Sequence, residues 1–189
     1  MTRLPTEHDI ETAHNKIEKF IHRTPILTSS SINCIFNSSL FFKCENFQKA
    51  GAFKMRGATN AILSLDDSEL QNGVATHSSG NHAGALALAA QKLGVPSYIA
   101  MPNTAPKIKI SSVKSYGGNI TFCKPTLDDR KKTLNNIVEE TSATFIHPYD
   151  DYRIITGQAT CAKEIYEELL NIDYLIAPTG GGGLLSGSI

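Results

Sequence analysis

An excess of charge of either sign is missing from this sequence of 189 residues. Its 18 lysines and arginines balance 18 aspartates and glutamates, and the two signs are interspersed along the chain. A nucleic-acid-binding protein normally carries a basic excess on one face, so we predict no nucleic-acid partner and expect a small-molecule ligand. Long apolar runs are missing too. None approaches the roughly 18 residues that span a bilayer, so we predict no membrane partner.

Paired cysteines are a third absence. The 4 cysteines are scattered, and no CxxC motif occurs. This distribution predicts ordinary reduced thiols in a cytoplasmic protein rather than a disulfide framework. His77 and His82 lie five residues apart, but no carboxylate accompanies them at metal-ligand spacing, so no metal site is predicted there.

Strand-like and helix-like segments alternate along the chain with short connections. The alternation predicts an α/β fold with a mainly parallel sheet covered by helices. Strands are predicted at residues 39–47, 73–79, 96–102, 119–123, 143–148 and 173–178. Helices are predicted at residues 6–21, 53–65, 81–94, 105–117, 126–142 and 150–171. Residues 23–32 are expected to form a loop.

The segment AGAFKMRGA, residues 50–58, places Lys54 among small and apolar residues. Such a lysine can lie on a helix and extend its ammonium group to water. Alternatively, desolvation lowers its pKa and makes it a nucleophilic amine that can form a Schiff base with an aldehyde. Taken alone, these residues favour the first interpretation, and the rest of the sequence has to decide.

A second segment, TGGGGLLSG at residues 179–187, follows a predicted strand. Four consecutive glycines leave the backbone N–H groups unobstructed and allow positive φ, so they can surround an anion. The lysine and hydroxyl residue of a P-loop do not follow them, and a dinucleotide fingerprint belongs in a first βα unit. The alternative is a flexible turn. Because ordering four glycines costs much conformational entropy, we favour a phosphate site.

A third segment, SSGNHAGA at residues 78–85, precedes an alanine-rich helix. Ser78, Ser79 and Asn81 are all residue types that cap helices, so any one of them can be only a cap. Two hydroxyls, an amide and a histidine nevertheless exceed what one cap requires. A helix N-terminus with such groups can hold a carboxylate. We therefore keep both interpretations open.

The three segments together indicate one ligand. An activated lysine, a phosphate site and a carboxylate site at the carboxyl ends of parallel strands fit a cofactor with an aldehyde and a phosphate that acts on an amino acid. Pyridoxal 5'-phosphate carries these groups. A nucleotide-binding α/β module is the alternative without this cofactor.

The motifs FQKAGAFKMRGATNAI, HSSGNHAGALALAAQKLG, ITGQAT and PTGGGGLLSG occur in this order. They resemble the serine racemase and serine/threonine dehydratase family of fold-type-II pyridoxal-phosphate enzymes, which is similar also to the tryptophan synthase β chain. The resemblance runs from about Ile10 to the last residue. It implies two three-layer α/β domains with parallel sheets, and a homodimer when the protein is complete.

The resemblance also implies roles for individual residues. Lys54 is the catalytic lysine that links to the cofactor aldehyde, and Ser79 resembles the second catalytic residue of the racemases, where many dehydratases have alanine. The cofactor-binding residues implied are Phe53, Lys54, Asn81, Gly180, Gly181, Gly182, Gly183 and Leu184. The substrate-carboxylate residues implied are Ser78, Ser79, Asn81 and His82.

Two departures from the family pattern are evident. Ala50 and Ala52 replace the hydroxyl residues that commonly precede the lysine, so any contacts of those hydroxyls are lost. Ala159 stands in GQAT where the family usually has glycine. If that position is inside a helix, alanine is favourable by up to about 1 kcal/mol.

We expect residues 1–72 and 149–189 to form a larger, cofactor-binding domain. We expect residues 73–148 to form a smaller domain that carries residues 78–85, which we name the carboxylate loop. The chain stops shortly after residues 179–187, which we name the glycine loop, so we expect the larger domain to be incomplete at its C-terminus. The implied function is a pyridoxal-phosphate-dependent dehydratase of L-serine or L-threonine that yields a 2-oxo acid and ammonia, with racemisation of serine as a further activity. The alternatives are a β-replacement enzyme of the cysteine synthase type and a catalytically silent protein that binds the cofactor.

Overall fold

Helices and strands alternate along the computed structural model, which describes residues 4–189. The strands are β1 (Ile26–Thr28), β2 (Phe41–Lys43), β3 (Val74–His77), β4 (Ser97–Pro102), β5 (Asn119–Cys123) and β6 (Thr144–Phe145). The α-helices are α1 (Glu7–Ile17), α2 (Ser30–Phe36), α3 (Lys54–Ile62), α4 (Asp67–Asn72), α5 (Asn81–Leu93), α6 (Lys107–Ser115), α7 (Leu127–Thr141), α8 (Tyr152–Glu168) and α9 (Gly183–Ser188). Short 3₁₀ helices lie at Glu18–Phe20, Glu45–Phe47 and Lys49–Gly51.

A parallel sheet lies at the centre of this arrangement, with the strand order β5-β4-β3-β6. Val74 of β3 pairs with Ser97 of β4 and with Thr144 of β6, and Ile99 of β4 pairs with Ile120 of β5. The predicted α/β class with a parallel sheet is confirmed. Strands β1 and β2 form a separate antiparallel ribbon. The division into two domains stays a prediction.

Neighbouring residues of the central strands point to opposite faces of the sheet, as the period of two requires. On one face, Val74 and Ile99 join the larger core, which includes apolar residues of α3, α5 and α6. On the other face, Ala75 and Ala100 pack with Leu134 of α7 in a second core. Helices therefore cover both faces of the sheet, which places the ends of its strands at the surface.

Helix ends follow the sequence signals. Thr6 and Asp9 form the predicted capping box of α1. Gly94 ends α5 with φ +70°. The Thr126 hydroxyl caps α7 by accepting a hydrogen bond from the Asp129 N–H at 3.2 Å. Each of these contacts pairs a backbone group that has no partner within its own helix.

Two predicted elements are wrong. Residues 173–178 form no strand, and Tyr174 and Ile176 are each 85% exposed. A strand is stabilised by a neighbour that pairs its backbone groups, and no strand lies beside this segment in residues 4–189. Residues 23–32, predicted as a loop, contain β1 and the start of α2. Helix α4 was not predicted, although Asp66 and Glu69 form its capping box.

Helices α3 and α8 approach each other backbone to backbone. A Cβ on Gly157 of α8 would lie only 2.6 Å from the Cα of Gly57 in α3 and 2.8 Å from the carbonyl oxygen of Arg56. A Cβ on Gly57 would lie 2.5 Å from the Gln158 side chain. The crossing thus requires glycine on both helices, because real Cβ contacts are not this short.

A buried ionic cluster, made of Lys43, Glu45, Arg56 and Glu164, lies beside this crossing. Arg56 is 0% exposed and donates to Glu45 and to Glu164 at 2.7–2.9 Å, and to the Thr160 hydroxyl at 3.3 Å. These contacts use all five N–H groups of the guanidinium. The Lys43 ammonium lies 2.7 Å from a Glu164 oxygen. The cluster joins β2, the Glu45–Phe47 turn, α3 and α8.

The charges of this cluster support one another. Burial alone would lower the pKa of Arg56, but its hydrogen bonds to Glu45 and Glu164 raise the pKa above the ordinary arginine value. Burial alone would raise the pKa of Glu164, but the hydrogen bond from Arg56 holds that pKa below its ordinary value. Both groups are therefore charged at neutral pH, and each needs the other because an unpaired charge is costly to bury.

Candidate active site

The three segments that the sequence singled out meet at the chain that leaves β6. We name residues 146–149 the exit segment. The Lys54 ammonium donates to the carbonyl oxygen of Pro148 at 2.5 Å. His82 Nε2 lies 3.4 Å from the carbonyl oxygen of Ile146. A Cβ on Gly181 would lie 2.2 Å from ring atoms of Tyr149. The lysine, the carboxylate loop and the glycine loop thus border one short segment.

Local backbone geometry sets the position of Lys54. The lysine is the first residue of α3, just after the Lys49–Gly51 turn. Ala50 and Gly51 have φ +59° and +68°, and a left-handed conformation is unfavourable for alanine. The Gln48 side chain holds the start of this turn by accepting from the N–H groups of His22 and Lys49 at 2.8 and 3.0 Å.

The surroundings of Lys54 favour a neutral amine. The side chain is half-buried, and burial lowers its pKa. Its ammonium lies 5.3 Å from the centre of the Phe53 ring and forms no ion pair with a carboxylate of residues 4–189. The head group is therefore held inside the site by a carbonyl, rather than extended only to water. A lysine with a lowered pKa is the form that can attack an aldehyde at neutral pH.

The carboxylate loop leaves the start of α5 free. Gly80 occupies the N-cap position, and no side chain of the described residues 4–189 caps the helix. The interpretation that Ser78, Ser79 or Asn81 is only the helix cap is therefore wrong. Ser78 instead accepts from the Gly80 N–H at 3.2 Å. Uncapped N–H groups at the start of a 13-residue helix are suited to binding an anion.

His82 is buried, with 3% exposure, and is held neutral. Burial, followed by the nearby Lys54 charge, lowers its pKa to about 3. Its Nδ1 has no hydrogen-bond partner in the part of the chain that the structure describes. A neutral imidazole supplies no positive charge to a substrate carboxylate. His82 can thus serve such a group only through a neutral N–H donor, from its backbone or its ring.

A row of aromatic rings continues the site along the exit segment. His77 stacks on Phe145 with ring centres 5.9 Å apart, and His147 contacts Phe145 and Tyr149 edge to face. His147 Nδ1 accepts from the Asp150 N–H at 2.8 Å. Burial lowers the pKa of both histidines. Within residues 4–189, no group of three His, Cys, Asp or Glu side chains is placed to hold a metal ion.

The glycines of the loop meet different constraints. A Cβ on Gly181 or Gly183 would strike Tyr149, and Gly182 has φ +87°, so packing and backbone geometry explain these three. A Cβ on Gly180 would meet nothing within 4 Å. Neither packing nor φ within residues 4–189 explains Gly180, which fits a ligand that approaches the backbone closely. Leu184 follows in α9 and is half-buried.

These features fit pyridoxal phosphate. Lys54 offers an amine with a lowered pKa, Gly180 offers open backbone for a phosphate, and Asn81 offers a side-chain amide at the start of α5. The structure brings Lys54, His82 and the glycine loop to the exit segment, and their roles in binding stay predictions. Sequence reasoning missed Pro148, because a backbone carbonyl that contacts a lysine 94 residues away leaves no sequence signal.

Comparison with known proteins gives the same result. A family model described as pyridoxal-phosphate dependent enzyme matches residues 17–189. The chain is 51% identical over 185 residues to a β-hydroxyaspartate dehydratase of Paracoccus denitrificans, covering 98% of this chain and 59% of that protein. These similarities confirm the resemblance noted in the sequence.

Solved structures agree with this match. A serine racemase from Dictyostelium discoideum superposes with a TM-score of 0.92 at 49% identity, over 96% of this chain and 59% of that one. A threonine deaminase from T.th. superposes with a TM-score of 0.89 at 36% identity, over 97% of this chain and 59% of that one. The chain thus spans a little under three fifths of the length of these relatives. None of the helices in residues 4–189 is long and apolar enough to cross a membrane.

Proposed function

Because this chain belongs to the family of pyridoxal-phosphate dependent enzymes, we propose that it acts in the dehydration of a β-hydroxy amino acid, L-serine or L-threonine, to a 2-oxo acid and ammonia, and in the racemisation of serine. One observation carries the proposal. Lys54, with its lowered pKa and no carboxylate partner in residues 4–189, contacts the same exit segment as His82 at the uncapped start of α5. A nucleophilic amine next to an anion site is what an amino-acid substrate requires.

The cofactor is held by residues from all three segments. Lys54 would bind its aldehyde and Asn81 would bind its ring hydroxyl, and Phe53 lies beside the lysine. The residues proposed around its phosphate are Gly180, Gly181, Gly182, Gly183 and Leu184. When bound, pyridoxal phosphate accepts the electrons that are left at the substrate Cα.

The residues of the chain orient the substrate and move its protons. The backbone N–H groups at the start of α5, with Ser78 and Ser79, bind the substrate carboxylate. Lys54, released from the aldehyde when the substrate amine takes its place, removes the proton from Cα as a neutral amine. Its lowered pKa makes the neutral form more abundant than it is for an ordinary lysine. The Ser79 hydroxyl returns a proton from the other side of Cα when the product is a D-amino acid.

The names of the relatives favour elimination and racemisation. The similar proteins described above are a β-hydroxyaspartate dehydratase, a serine racemase and a threonine deaminase. A substrate with a β-hydroxyl group is common to them. This favours our proposal over β-replacement and over a catalytically silent protein.

The test is product formation. The chain, and the same chain joined to the C-terminal half of the D. discoideum serine racemase, are incubated with pyridoxal phosphate and L-serine, L-threonine or β-hydroxyaspartate. We expect 2-oxo acid and ammonia in equal amounts, together with D-serine from L-serine. A joined protein that binds the cofactor and forms none of these products would refute the proposal.

Ser79→Ala is expected to separate the two reactions. Dehydration needs the proton removal by Lys54 and a proton for the β-hydroxyl, which leaves as water. Racemisation needs instead a proton delivered to Cα from the opposite side. D-serine formation should fall by about 10²–10⁴-fold, the usual size of an acid–base contribution, while dehydration falls much less. Chiral amino-acid analysis and a 2-oxo-acid assay measure the two rates.

Ser78→Ala is the control for this variant. The Ser78 hydroxyl bonds to the Gly80 N–H and shapes the loop, so its loss should lower both rates together. If Ser79→Ala also lowers both equally, Ser79 is a carboxylate ligand and not a proton donor.

Gly180→Asp is expected to weaken cofactor binding at least tenfold. The added carboxylate would repel the phosphate, and a charge-assisted hydrogen bond to the phosphate would be lost. The fold should be retained, since a Cβ at Gly180 meets nothing within 4 Å. Fluorescence titration with pyridoxal phosphate and thermal melting measure the two effects. Gly181→Ala is the contrast: its Cβ would strike Tyr149, so melting temperature should fall. Unchanged cofactor affinity in Gly180→Asp would remove Gly180 from the site.

We further propose that the protein, when joined to a C-terminal half like that of its relatives, forms a homodimer, and that it works in a reducing, cytoplasmic compartment. Large apolar side chains, including Phe36 at 66% and Phe41 at 51%, are exposed, which supports burial against another polypeptide. The cysteines are free, and Cys34 is exposed, which supports a reducing environment. Light scattering on the purified protein measures its oligomeric state, and a sharp monomer mass would contradict the proposed homodimer.

A further inference from the structure

We infer that Lys109 is a positioning residue of the site, which fixes the side-chain amide of Asn81 so that its NH₂ group is left for the ligand. The identity of that ligand rests on the function proposed above. Lys109 lies on α6 and Asn81 is the first residue of α5, 28 positions earlier. The Lys109 ammonium donates to Asn81 Oδ1 at 2.6 Å.

The chemistry of the two groups decides the orientation of the amide. The oxygen and nitrogen of an asparagine side chain are nearly equal in size, so its orientation follows from its partners. A lysine ammonium carries three donors and no acceptor. It can bond only to the Asn81 oxygen, and it would repel the hydrogens of the NH₂ group. The reversed amide loses a charge-assisted hydrogen bond, which disfavours it by about tenfold or more.

The NH₂ group of the Asn81 side chain is then available for binding a ligand. Asn81 Nδ2 forms no hydrogen bond with any residue in the described range 4–189, and it carries two hydrogens. The site therefore presents a donor at the start of α5. It selects a ligand with an acceptor oxygen, such as the ring-hydroxyl oxygen of pyridoxal phosphate, over one that has no acceptor there.

The surroundings make Lys109 the residue that sets this orientation. Lys109 is half-buried, and Ser78, the neighbouring polar residue of the loop, bonds to Gly80 instead of Asn81. No other hydrogen bond to Asn81 Oδ1 is formed within residues 4–189. Without Lys109 the amide can turn freely, and its NH₂ group faces the ligand only part of the time.

A first experiment tests the orientation without any cofactor. The side-chain amide resonances of Asn81 are assigned by NMR in the free protein and compared with those of Lys109→Met and Lys109→Arg. We expect a clear shift in Lys109→Met and a return toward the original position in Lys109→Arg, because arginine also has only donors. An unchanged Asn81 amide in Lys109→Met would overturn the inference, whatever the protein binds.

A second experiment tests its effect on binding. Pyridoxal phosphate and its analogue without the ring hydroxyl are titrated against the same variants. We expect Lys109→Met to weaken the binding of pyridoxal phosphate severalfold and Lys109→Arg to restore it. The analogue should bind the unchanged protein and both variants with equal affinity. Asn81→Asp keeps an oxygen for Lys109 but has no NH₂ group, so it should bind pyridoxal phosphate at least as weakly as Lys109→Met.

The control variant is Lys107→Met, which removes an exposed lysine from the same helix and should change neither readout. If Lys109→Met weakens the binding of both ligands equally, the loss of its charge acts on binding in general, and the inference is overturned. If pyridoxal phosphate binds to none of the proteins, the proposed function fails, and the NMR comparison alone decides the role of Lys109.

Discussion

Lys54→Ala is expected to abolish covalent retention of pyridoxal phosphate and to lower product formation by at least about 10²–10⁴-fold, the contribution typical of a catalytic base. Lys54 donates to a carbonyl of the exit segment, and its pKa is lowered by burial with no carboxylate among residues 4–189 to oppose the shift. Alanine removes both the nucleophile and the base, so no partial activity by this route should remain.

Borohydride reduction, digestion and mass spectrometry measure this effect directly. In the unchanged chain, the reduced cofactor should be found on Lys54, and in Lys54→Ala on no lysine in comparable yield. Lys49→Ala is the matched control, since Lys49 lies five positions earlier on the adjoining turn. An adduct on Lys49 in the unchanged protein would overturn the assignment.

The same adduct should depend on pH in a defined direction. The neutral amine is the reactive form, and burial lowers the pKa of Lys54, so the neutral form appears at lower pH than in an ordinary lysine. The trapping rate should rise with pH and approach its maximum below the ordinary lysine pKa of about 10.4. A rate that still follows an ordinary lysine would contradict the burial of this group.

Arg56→Met is expected to lower the free energy of unfolding by about 3–5 kcal/mol, because it leaves buried carboxylates without their partner. Of its ion-pair partners in residues 4–189, Glu164 would keep only Lys43, and Glu45 would lose its two hydrogen bonds to the guanidinium. Since a domain is stable by only about 5–15 kcal/mol in total, the variant should be close to unfolding. Urea titration followed by circular dichroism measures the change.

Arg23→Met is the control for this prediction. Arg23 also pairs with two carboxylates, Glu167 and Glu168, but its side chain is 48% exposed. Exposed pairs contribute about 0–1 kcal/mol, so this variant should unfold almost as the original protein does. Equal small losses in both variants would show that the buried ionic cluster contributes little.

Local signals account for the part of the fold that was predicted correctly. The strands and helices between residues 73 and 142 follow from hydrophobic period, caps and glycine ends, such as Thr126 and Gly94. Strand β1 was missed because its three residues pair with β2 about 15 positions away, and so short a run has no period of its own. The error at residues 173–178 has the opposite cause: the local pattern is strand-like, but no neighbouring strand within residues 4–189 pairs with it.

The residues of the site also divide into those that the local sequence indicated and those that it did not. Lys54 and the glycine loop were found because their residue types are unusual for their surroundings. Lys109 was not, because a lysine on a helix is ordinary in a sequence, and only its contact with Asn81 distinguishes it. Arg56 was missed for the same reason. Its partner Glu164 lies in a different helix, and neither residue is notable where it stands in the sequence.

The distance along the chain between Arg56 and Glu164 has a consequence for synthesis on the ribosome. Glu164 follows Arg56 by 108 positions, which at the usual elongation rate of 5–20 residues per second is a delay of about 5–20 s. During that time Arg56 has no Glu164 to pair with, so α3 cannot be buried as it is in the final fold. The face of α3 that meets α8, with Arg56 and Gly57, stays available to chaperones on the nascent chain until α8 emerges.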